Sequence, residues 1–343
     1  MRPTRRLRAR DTIAHVSDNE TPAKPTFVQP VRQKVPLPPT DPVIRELDPA
    51  GDMPSVSAIH RQAHPTDPGD PDYLAYRVDT SPPEARRIDI VAVVDDEIVG
   101  YAFTHLDTEA DLPGATIAQV MVAERHRGRG VGRALAARLA PHWQRVGSSV
   151  VVGRVVIHDS MLFVLRQRFA PSSQQHVSRR ELSQPIQVPD APAGVTLNGP
   201  ADDGFRGMYH VHTAVTDDIY PDTTRYTPPP FEVWRDKTAA DPLLDLDSSI
   251  VAFSDGRPAA LSWISRSQHQ AWSILTGVAP EFRGTGLGYL VKAESLRRAR
   301  AAGVTEVFTA NSDGNAPMLA INRRLGYELH VEQFTVGRML TQP

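Results

Sequence analysis

Two six-residue segments with the same pattern of glycines are the parts of this sequence best suited to bind a reacting molecule. Residues 127–132 read Arg-Gly-Arg-Gly-Val-Gly, and residues 283–288 read Arg-Gly-Thr-Gly-Leu-Gly. Each follows a β-rich run and precedes apolar residues at the i, i+3, i+4 spacing of a helix. Glycine permits turns that a Cβ forbids, and free N–H groups at a helix start attract anions. We therefore predict two glycine loops that bind a pyrophosphate.

The residues around these loops do not fit the other common phosphate-binding motifs. A Walker loop requires Gly-Lys-Ser/Thr, which neither loop contains. A dinucleotide-binding loop requires Gly-x-Gly-x-x-Gly after the first strand of its unit, whereas these loops read Gly-x-Gly-x-Gly after about the fourth strand. The glycines of a single loop could serve only a tight turn. Two loops in the same strand–loop–helix setting make that alternative weaker.

The elements that position the loops form an internal repeat. A short strand, a hairpin and a third β-rich run precede each loop, and a helix, a strand and a short helix follow it. The spacing from the first strand to the loop is nearly the same in both copies, from Val43 to Arg127 and from Val195 to Arg283. A repeat of this kind decides the fold. We predict an α/β (α+β) fold with a first copy at 43–184, a linker at 185–194 and a second copy at 195–343. Each copy should be a mixed, mostly antiparallel sheet flanked by helices.

Composition restricts the class of protein. A net charge of −2 gives no general reason to expect nucleic acid or an acidic membrane as partner. The absence of cysteine excludes disulfides, thiolate metal sites and an acyl-cysteine intermediate. No apolar run reaches the ~18 residues of a membrane span, so we expect a cytoplasmic protein. Residues 1–42 are rich in Arg and Pro and predict a disordered tail, which is either a basic arm for an anionic partner or simply solvated.

At the glycine loops the chain resembles the GNAT superfamily of N-acetyltransferases, whose loop is Arg/Gln-x-x-Gly-x-Gly/Ala. Both copies match this motif. The resemblance to the family extends in the second copy to Asn311, Asn315, Met318, Asn322 and residues 325–327. It covers about residues 43–340 and indicates a tandem member of the family.

The resemblance implies that acetyl-CoA is the co-substrate and lies between the fourth and fifth strands. A backbone N–H near Val278, or near Val122 in the first copy, would polarise the thioester carbonyl. An amine would then attack directly, with both substrates bound. The implied cofactor-binding residues are Thr276, Val278, Arg283, Gly284, Thr285, Gly286, Leu287, Gly288, Asn311, Asn315 and Asn322, and in the first copy Val122, Arg127, Gly128, Arg129, Gly130, Val131 and Gly132.

The sequence departs from the family where protons are transferred. Many members have a tyrosine one turn before the final Leu-Gly-aromatic, but here Asn322 and Val164 occupy that position. Many also carry a glutamate on the fourth strand, and neither copy has one there. No catalytic acid or base is therefore assigned. The first copy also lacks the Leu-Gly ending and a counterpart of Asn311, so we predict that the second copy is catalytic. His158 and Asp159 lie near the expected acetyl position, or are a surface pair.

Residues 217–247 fall where the family's acceptor-facing elements lie, and they combine carboxylates with interleaved aromatic residues. Such a wall would attract a cationic amine. The alternative is a solvated acidic face with aromatic residues in the core. The members of this segment are Asp217, Asp218, Tyr220, Asp222, Arg225, Tyr226, Phe231, Glu232, Trp234, Arg235, Asp236, Lys237, Asp241, Asp245 and Asp247.

These observations favour an N-acetyltransferase acting on the primary amine of a small cationic molecule, with no nucleic-acid or membrane partner. The missing tyrosine and glutamate leave open a non-catalytic acyl-CoA-binding or regulatory module. A protein-lysine or N-terminal acetyltransferase is a third hypothesis, which would need a long peptide groove. The sequence contains no signal for the oligomeric state.

Overall fold

The computed structural model describes residues 41–156, 160–219 and 228–340. The predicted tail at 1–42 lies outside the described residues except for Asp41 and Pro42. The first copy runs β1 (Val43–Glu46), α1 (Pro49–Ala63), α2 (Pro71–Asp79), β2 (Ile88–Val94), β3 (Glu97–Leu106), β4 (Ala115–Val122), α3 (Val131–Arg145), β5 (Val150–Val155), α4 (Met161–Arg166) and β6 (Ala170–Glu181).

The second copy repeats this order, with one additional helix between its first two strands. It runs β7 (Val195–Asn198), α5 (Arg206–Ala214), α6 (Thr216–Ile219), α7 (Phe231–Ala239), β8 (Ile250–Ser254), β9 (Arg257–Ser267), β10 (Gln270–Val278), α8 (Leu287–Ala301), β11 (Glu306–Asn311), α9 (Ala316–Arg324) and β12 (Glu328–Met339). The α/β fold with two tandem copies, predicted from the sequence, is confirmed. Within the described residues no helix is long and apolar enough to cross a bilayer.

The hydrophobic patterns explain why these segments form these elements. In α3, Val131, Leu135 and Leu139 recur on one face and are fully buried. Gly147, with φ +71, follows the end of that helix. In α1, Asp48 caps the first turn by accepting a hydrogen bond from the N–H of Ala50 at 3.1 Å.

All strands join one twelve-stranded sheet in the order β1-β2-β3-β4-β5-β12-β6-β11-β10-β9-β8-β7. The first five strands of each copy follow the same order, with a parallel pair only at β4–β5 and at β10–β11. The last strands, which the sequence did not predict, are exchanged. β6 pairs with β11 of the other copy, and β12 pairs with β5.

Because of this exchange, neither copy contains its whole sheet. Residues 185–194 form no helix or strand. The proposed boundaries at 184 and 195 therefore describe the repeat in the sequence rather than two separate sheets.

The sheet carries helices on both faces, as adjacent strand residues show. Val91 of β2 packs in a core with α1, whereas its neighbour Ala92 packs with α3. Likewise Leu261 of β9 packs with α5 and α7, whereas Ala260 packs with α8. Successive strand residues point to opposite faces. We call the face under α1, α2 and α5–α7 the front face, and the face under α3, α8 and α9 the back face.

Candidate functional site

Both glycine loops end at the start of a 15-residue helix whose N-terminus has no side-chain cap. The N-cap residues Gly130 and Gly286 have φ +96 and +84, a left-handed conformation that glycine adopts without strain. A Cβ on Gly286 would meet no atom of the described residues within 4 Å, whereas Gly130 is half-buried. The first N–H groups of α8 therefore adjoin open space, where an anion can accept hydrogen bonds from them.

The third glycine of each loop serves packing. A Cβ on Gly288 would lie 3.1 Å from Cγ2 of Val278 and 3.3 Å from Cδ1 of Ile321, and a Cβ on Gly132 would lie 3.4 Å from Cε2 of Phe163. The close approach brings the helix start against the strand end and the following short helix. The neighbouring predicted residues Val131 and Leu287 begin the helices and are buried.

The predicted arginines bind the protein itself. Nε of Arg127 donates to the carbonyl of Val122 at 3.0 Å, and Nε of Arg283 donates to that of Val278 at 3.4 Å. Arg283 also forms an ion pair with Asp218 of α6 at 2.6 Å. In the first copy Arg127 instead reaches the carbonyl of a residue in α1 at 3.3 Å. Both arginines thus tie their loop to the last residue of the preceding strand and to a front-face helix.

The remaining predicted loop residues surround the same open space. Gly128 and Gly284 have left-handed φ values of +78 and are exposed. The hydroxyl of Thr285 donates to the carbonyl of Phe282 at 2.6 Å, which closes the turn before α8. Arg129 is half-buried beside the first loop.

In each copy the central parallel strands separate toward the loop. β4 and β5 pair only from Ala115–Val150 to Ile117–Val152, and β10 and β11 only over residues 270–272 and 306–308. Beyond these pairs the strands diverge and leave a slot that leads to the glycine loop. The predicted residues Val122, Thr276 and Val278 lie on the diverging strand segments.

The slot of the second copy contains a β-bulge that the first copy lacks. β10 has nine residues and β4 has eight, and the register of β10 against β9 shifts between Ser273 and Leu275. The register of β4 against β3 is regular. A bulge re-aims the backbone groups of the strand that contains it. The sequence signal was the single extra residue before the second loop, which the repeat comparison did not use.

Two of the three predicted asparagines meet at the end of the second slot. Nδ2 of Asn322 donates to Oδ1 of Asn311 at 2.7 Å. Asn322 is buried, and its own Oδ1 has no hydrogen-bond partner among the described residues. Asn315 is instead the N-cap of α9, where its Oδ1 accepts from the N–H of Met318 at 3.2 Å. Asn322 and Asn311 are thus positioned to hold a polar group in the slot.

A buried lysine behind the second slot was missed by the sequence analysis. Lys292 lies one turn after Gly288 on α8 and is 1% exposed. Its Nζ lies 4.9 Å from the ring centroid of Tyr327 and 4.0 Å from Sδ of Met318. Burial lowers the pKa of Lys292 to about 7 and raises the pKa of Tyr327. A lysine within the apolar stripe of α8 was the available signal, since the first copy has Ala136 there.

The predicted acceptor wall is only partly described. Tyr220, Asp222, Arg225 and Tyr226 lie outside the described residues, as do His158 and Asp159.

Among the described members of this wall, Trp234 is buried and donates from its indole N–H to Nδ1 of His212 at 3.0 Å. The ring of Phe231 packs against Tyr209 with a centroid separation of 5.3 Å. The carboxylates of Glu232, Asp236, Asp245 and Asp218 all lie in ion pairs with arginines. The described residues therefore match the alternative of an acidic face over a partly aromatic core.

The family comparison matches both copies. The model of the acetyltransferase (GNAT) family matches residues 53–153 and 213–327, which together make up more than half of the chain. Among curated relatives, the mycothiol acetyltransferase of Saccharomonospora viridis is 27% identical over 250 residues, covering 68% of this chain and 76% of the relative. That of Actinosynnema mirum is 27% identical over 254 residues, covering 69% and 79%.

Solved structures support the same fold. A tandem GNAT protein from the clavulanic acid biosynthesis pathway superposes with a TM-score of 0.70 at 20% identity, over 87% of this chain and 98% of that one. A GCN5-related N-acetyltransferase from Sphaerobacter thermophilus superposes with a TM-score of 0.67 at 20% identity, over 88% and 97%. With two family regions and two glycine loops at uncapped helix starts, the chain belongs to the GNAT family of acetyltransferases, as a tandem member.

Proposed function

We propose that this enzyme transfers the acetyl group of acetyl-CoA directly to a primary amine of a small cationic molecule, and that the second copy carries the reaction. The observation that supports this most strongly is the bulged slot between β10 and β11, which ends at the open glycine loop around Gly286. The mycothiol acetyltransferases among the relatives support a small-molecule acceptor.

Each part of the second slot has a chemical task under this proposal. The N–H groups at the start of α8 bind the pyrophosphate. The Asn311–Asn322 pair holds the pantetheine arm by its amides, and a backbone N–H after the bulge polarises the thioester carbonyl. The side chains of Arg283 and Asn315 keep the loop and the α9 start in place.

The reaction needs no covalent enzyme intermediate, in keeping with a chain that has no cysteine. The amine nitrogen attacks the thioester carbonyl carbon, a C–N bond forms and the C–S bond breaks. The nitrogen loses one proton and CoA leaves as the thiol. Binding both substrates in one slot supplies much of the rate enhancement, because it replaces a bimolecular encounter by an oriented one.

The test is release of free CoA from acetyl-CoA on addition of a panel of small primary amines, with mass spectrometry of the acetylated product. Amine-dependent release is the expected result. Binding of acetyl-CoA without release for any amine or peptide would favour a non-catalytic acyl-CoA-binding module. Acetylation of peptides alone would favour a protein acetyltransferase.

A further inference from the structure

The slot of the first copy is bridged by a side chain at the point where its strands separate. If the pairing of β4 with β5 continued past Ile117 and Val152, Gln119 would lie opposite Arg154. The strands have already diverged there. In the amide orientation that satisfies both of its polar atoms, the Gln119 side chain accepts from the N–H of Arg154 at 2.9 Å and donates to its carbonyl at 3.3 Å. The Gln119 side chain thus hydrogen-bonds to the backbone N–H and carbonyl of Arg154, which have no backbone partner in β4 once the strands separate.

The side chain of Arg154 is anchored on the front face beside this bridge. Its guanidinium forms an ion pair with Asp67 and lies 3.4 Å from Nδ1 of His64 and 3.5 Å from Oε1 of Gln333. Burial lowers the pKa of His64 to about 3, so its ring is neutral at physiological pH and can accept from the guanidinium. Three side chains, two from the segment after α1 and one from β12, therefore converge on the Arg154 guanidinium.

One residue before Gln119 and Arg154, the backbones of β4 and β5 still lie close together. A Cβ on Gly153 would lie 2.9 Å from the carbonyl oxygen of Ala118, a distance that real Cβ atoms do not show. The corresponding residue of the second copy is Thr309, whose hydroxyl donates to the carbonyl of Ser273 at 3.4 Å. Only the second copy therefore has room for a side chain at this place.

The second copy has no counterpart of the bridge. Leu275 stands at the position of Gln119, three residues before the end of its strand, and Ala310 stands at the position of Arg154. A leucine side chain cannot hydrogen-bond to a backbone amide, and an alanine carries no charge. Neither side chain can therefore form in the second copy the hydrogen bonds that Gln119 makes in the first.

We propose that Gln119 and Arg154 seal the first slot against the pantetheine arm, so that the chain binds one acetyl-CoA although it has two glycine loops. The inference rests on the proposed function, because it assumes that acetyl-CoA binds in the second slot. The sequence predicts that Val122, Arg127 and residues 128–132 bind acetyl-CoA. Under this proposal the first glycine loop can bind an anion, but the slot behind it does not admit the pantetheine arm. A ligand that reaches the first loop has to replace the Gln119 hydrogen bonds first.

The experiment is titration calorimetry of the full chain with acetyl-CoA. The wild type is expected to bind one equivalent, and Gly286→Glu none. Gln119→Leu, which copies Leu275, is expected to bind two. In the Gly286→Glu background, Gln119→Leu should restore one equivalent, and adding Gly130→Glu should remove it again. Gln175→Leu is the matched control on the same face, since Gln175 bonds Gln333 at 3.0 Å without bridging the slot, and it should gain no site.

The outcomes separate the two proposals. Two equivalents in the wild type, or one remaining in Gly286→Glu, would overturn the seal while leaving the acetyltransferase proposal intact. One equivalent in folded Gln119→Leu would also overturn it, and Gln119→Ala provides a second variant if the leucine disturbs folding. Absence of binding in the wild type, together with no gain in any Gln119 variant, would reject both.

Discussion

The two copies have glycine loops of the same geometry but slots of different construction. Gly130 and Gly286 have similar left-handed φ values, and each precedes a helix of 15 residues. The second slot has a bulge, an apolar Leu275 and the Asn311–Asn322 pair. The first has regular pairing and the Gln119–Arg154 bridge.

The difference shows that the glycine loop and the slot between the strands are built from separate parts of the chain. The loop depends on a few glycines and a helix start, which are close together in the sequence. The slot depends on two strands, on the residue count of one of them and on side chains from distant segments. A glycine loop can therefore be present in a copy whose slot is bridged by a side chain.

The largest expected effect would come from placing a carboxylate in each glycine loop. Gly286→Glu should abolish acetyl-CoA binding and turnover, because its side chain would enter the open space at the α8 N-terminus and repel the pyrophosphate. A micromolar site corresponds to a binding free energy of about 8 kcal/mol, and we expect this variant to lose most of it. Gly130→Glu imposes the same backbone strain, but its loss of turnover should be at least tenfold smaller than that of Gly286→Glu. CoA release from folded variants measures both losses. A greater loss in Gly130→Glu would reverse the assignment, and equal losses would indicate two working or shared sites.

The second effect in size concerns Lys292, which the first copy replaces by Ala136. Burial lowers its pKa to about 7 from an unfolded value of 10.5, so the unfolded chain holds the proton more tightly between these values. The free energy of unfolding should therefore fall as pH drops from 10.5 to 7 and level off below. Lys292→Met should raise it at pH 7 by up to about 4 kcal/mol, at about 1.4 kcal/mol per pKa unit.

Denaturant unfolding at pH 7 and pH 10 measures this effect, and Ala136→Met, at the equivalent position of the first copy, is the control that removes no titrating group. The gain from Lys292→Met should shrink at pH 10. A gain independent of pH, or a loss at pH 7, would mean that the lysine is charged and stabilised in the folded protein.

A smaller effect is expected from the buried histidines of the first copy. Burial lowers the pKa of His60 to about 4 and of His64 to about 3, both from 6.5. Below pH 6.5 these histidines bind protons in the unfolded chain but stay neutral in the folded chain. The free energy of unfolding should therefore fall as pH drops through this range. Between pH 7 and pH 5, the free energy of unfolding of His64→Thr should therefore fall by about 2 kcal/mol less than that of the wild type.

The slope of unfolding free energy against pH is the quantity to compare, since removal of a packed ring also lowers the baseline. Thr216→Ser is a control that adds no titrating group and should keep the wild-type slope. An unchanged slope in His64→Thr would show that His64 is protonated in the folded chain at pH 5.

The smallest expected effect is at Asp218, which pairs with Arg283 in the second copy only. Both side chains are about half exposed, at 52% and 49%. Exposed pairs contribute about 0–1 kcal/mol and are screened by salt. Asp218→Asn should lower the melting temperature by no more than a few degrees, and less at high salt. A large drop would show that the loop depends on this pair rather than on the bond from Arg283 to Val278.

The candidate site could be predicted from the sequence where it depends on local geometry. The glycine spacing, the amphipathic stripes and the repeat of residues 43–184 in 195–343 led to the loops, the helices behind them and the fold class. These features need only neighbouring residues, because turns and helices close their hydrogen bonds within a few positions. The roles of Arg127, Arg283 and Asn315 in holding loop and helix starts were not evident, since their partners are backbone groups and, for Arg283, also the distant side chain of Asp218.

Tertiary structure alone decided which strands pair and what fills each slot. The exchange of β6 and β12 joins both copies in one sheet, and no local pattern distinguishes a strand that pairs with its own copy from one that crosses over. The Gln119–Arg154 bridge and the burial of Lys292 likewise depend on side chains that meet only after folding. Residue types and their spacing determined the glycine loops, but long-range pairing determined which slot a side chain bridges.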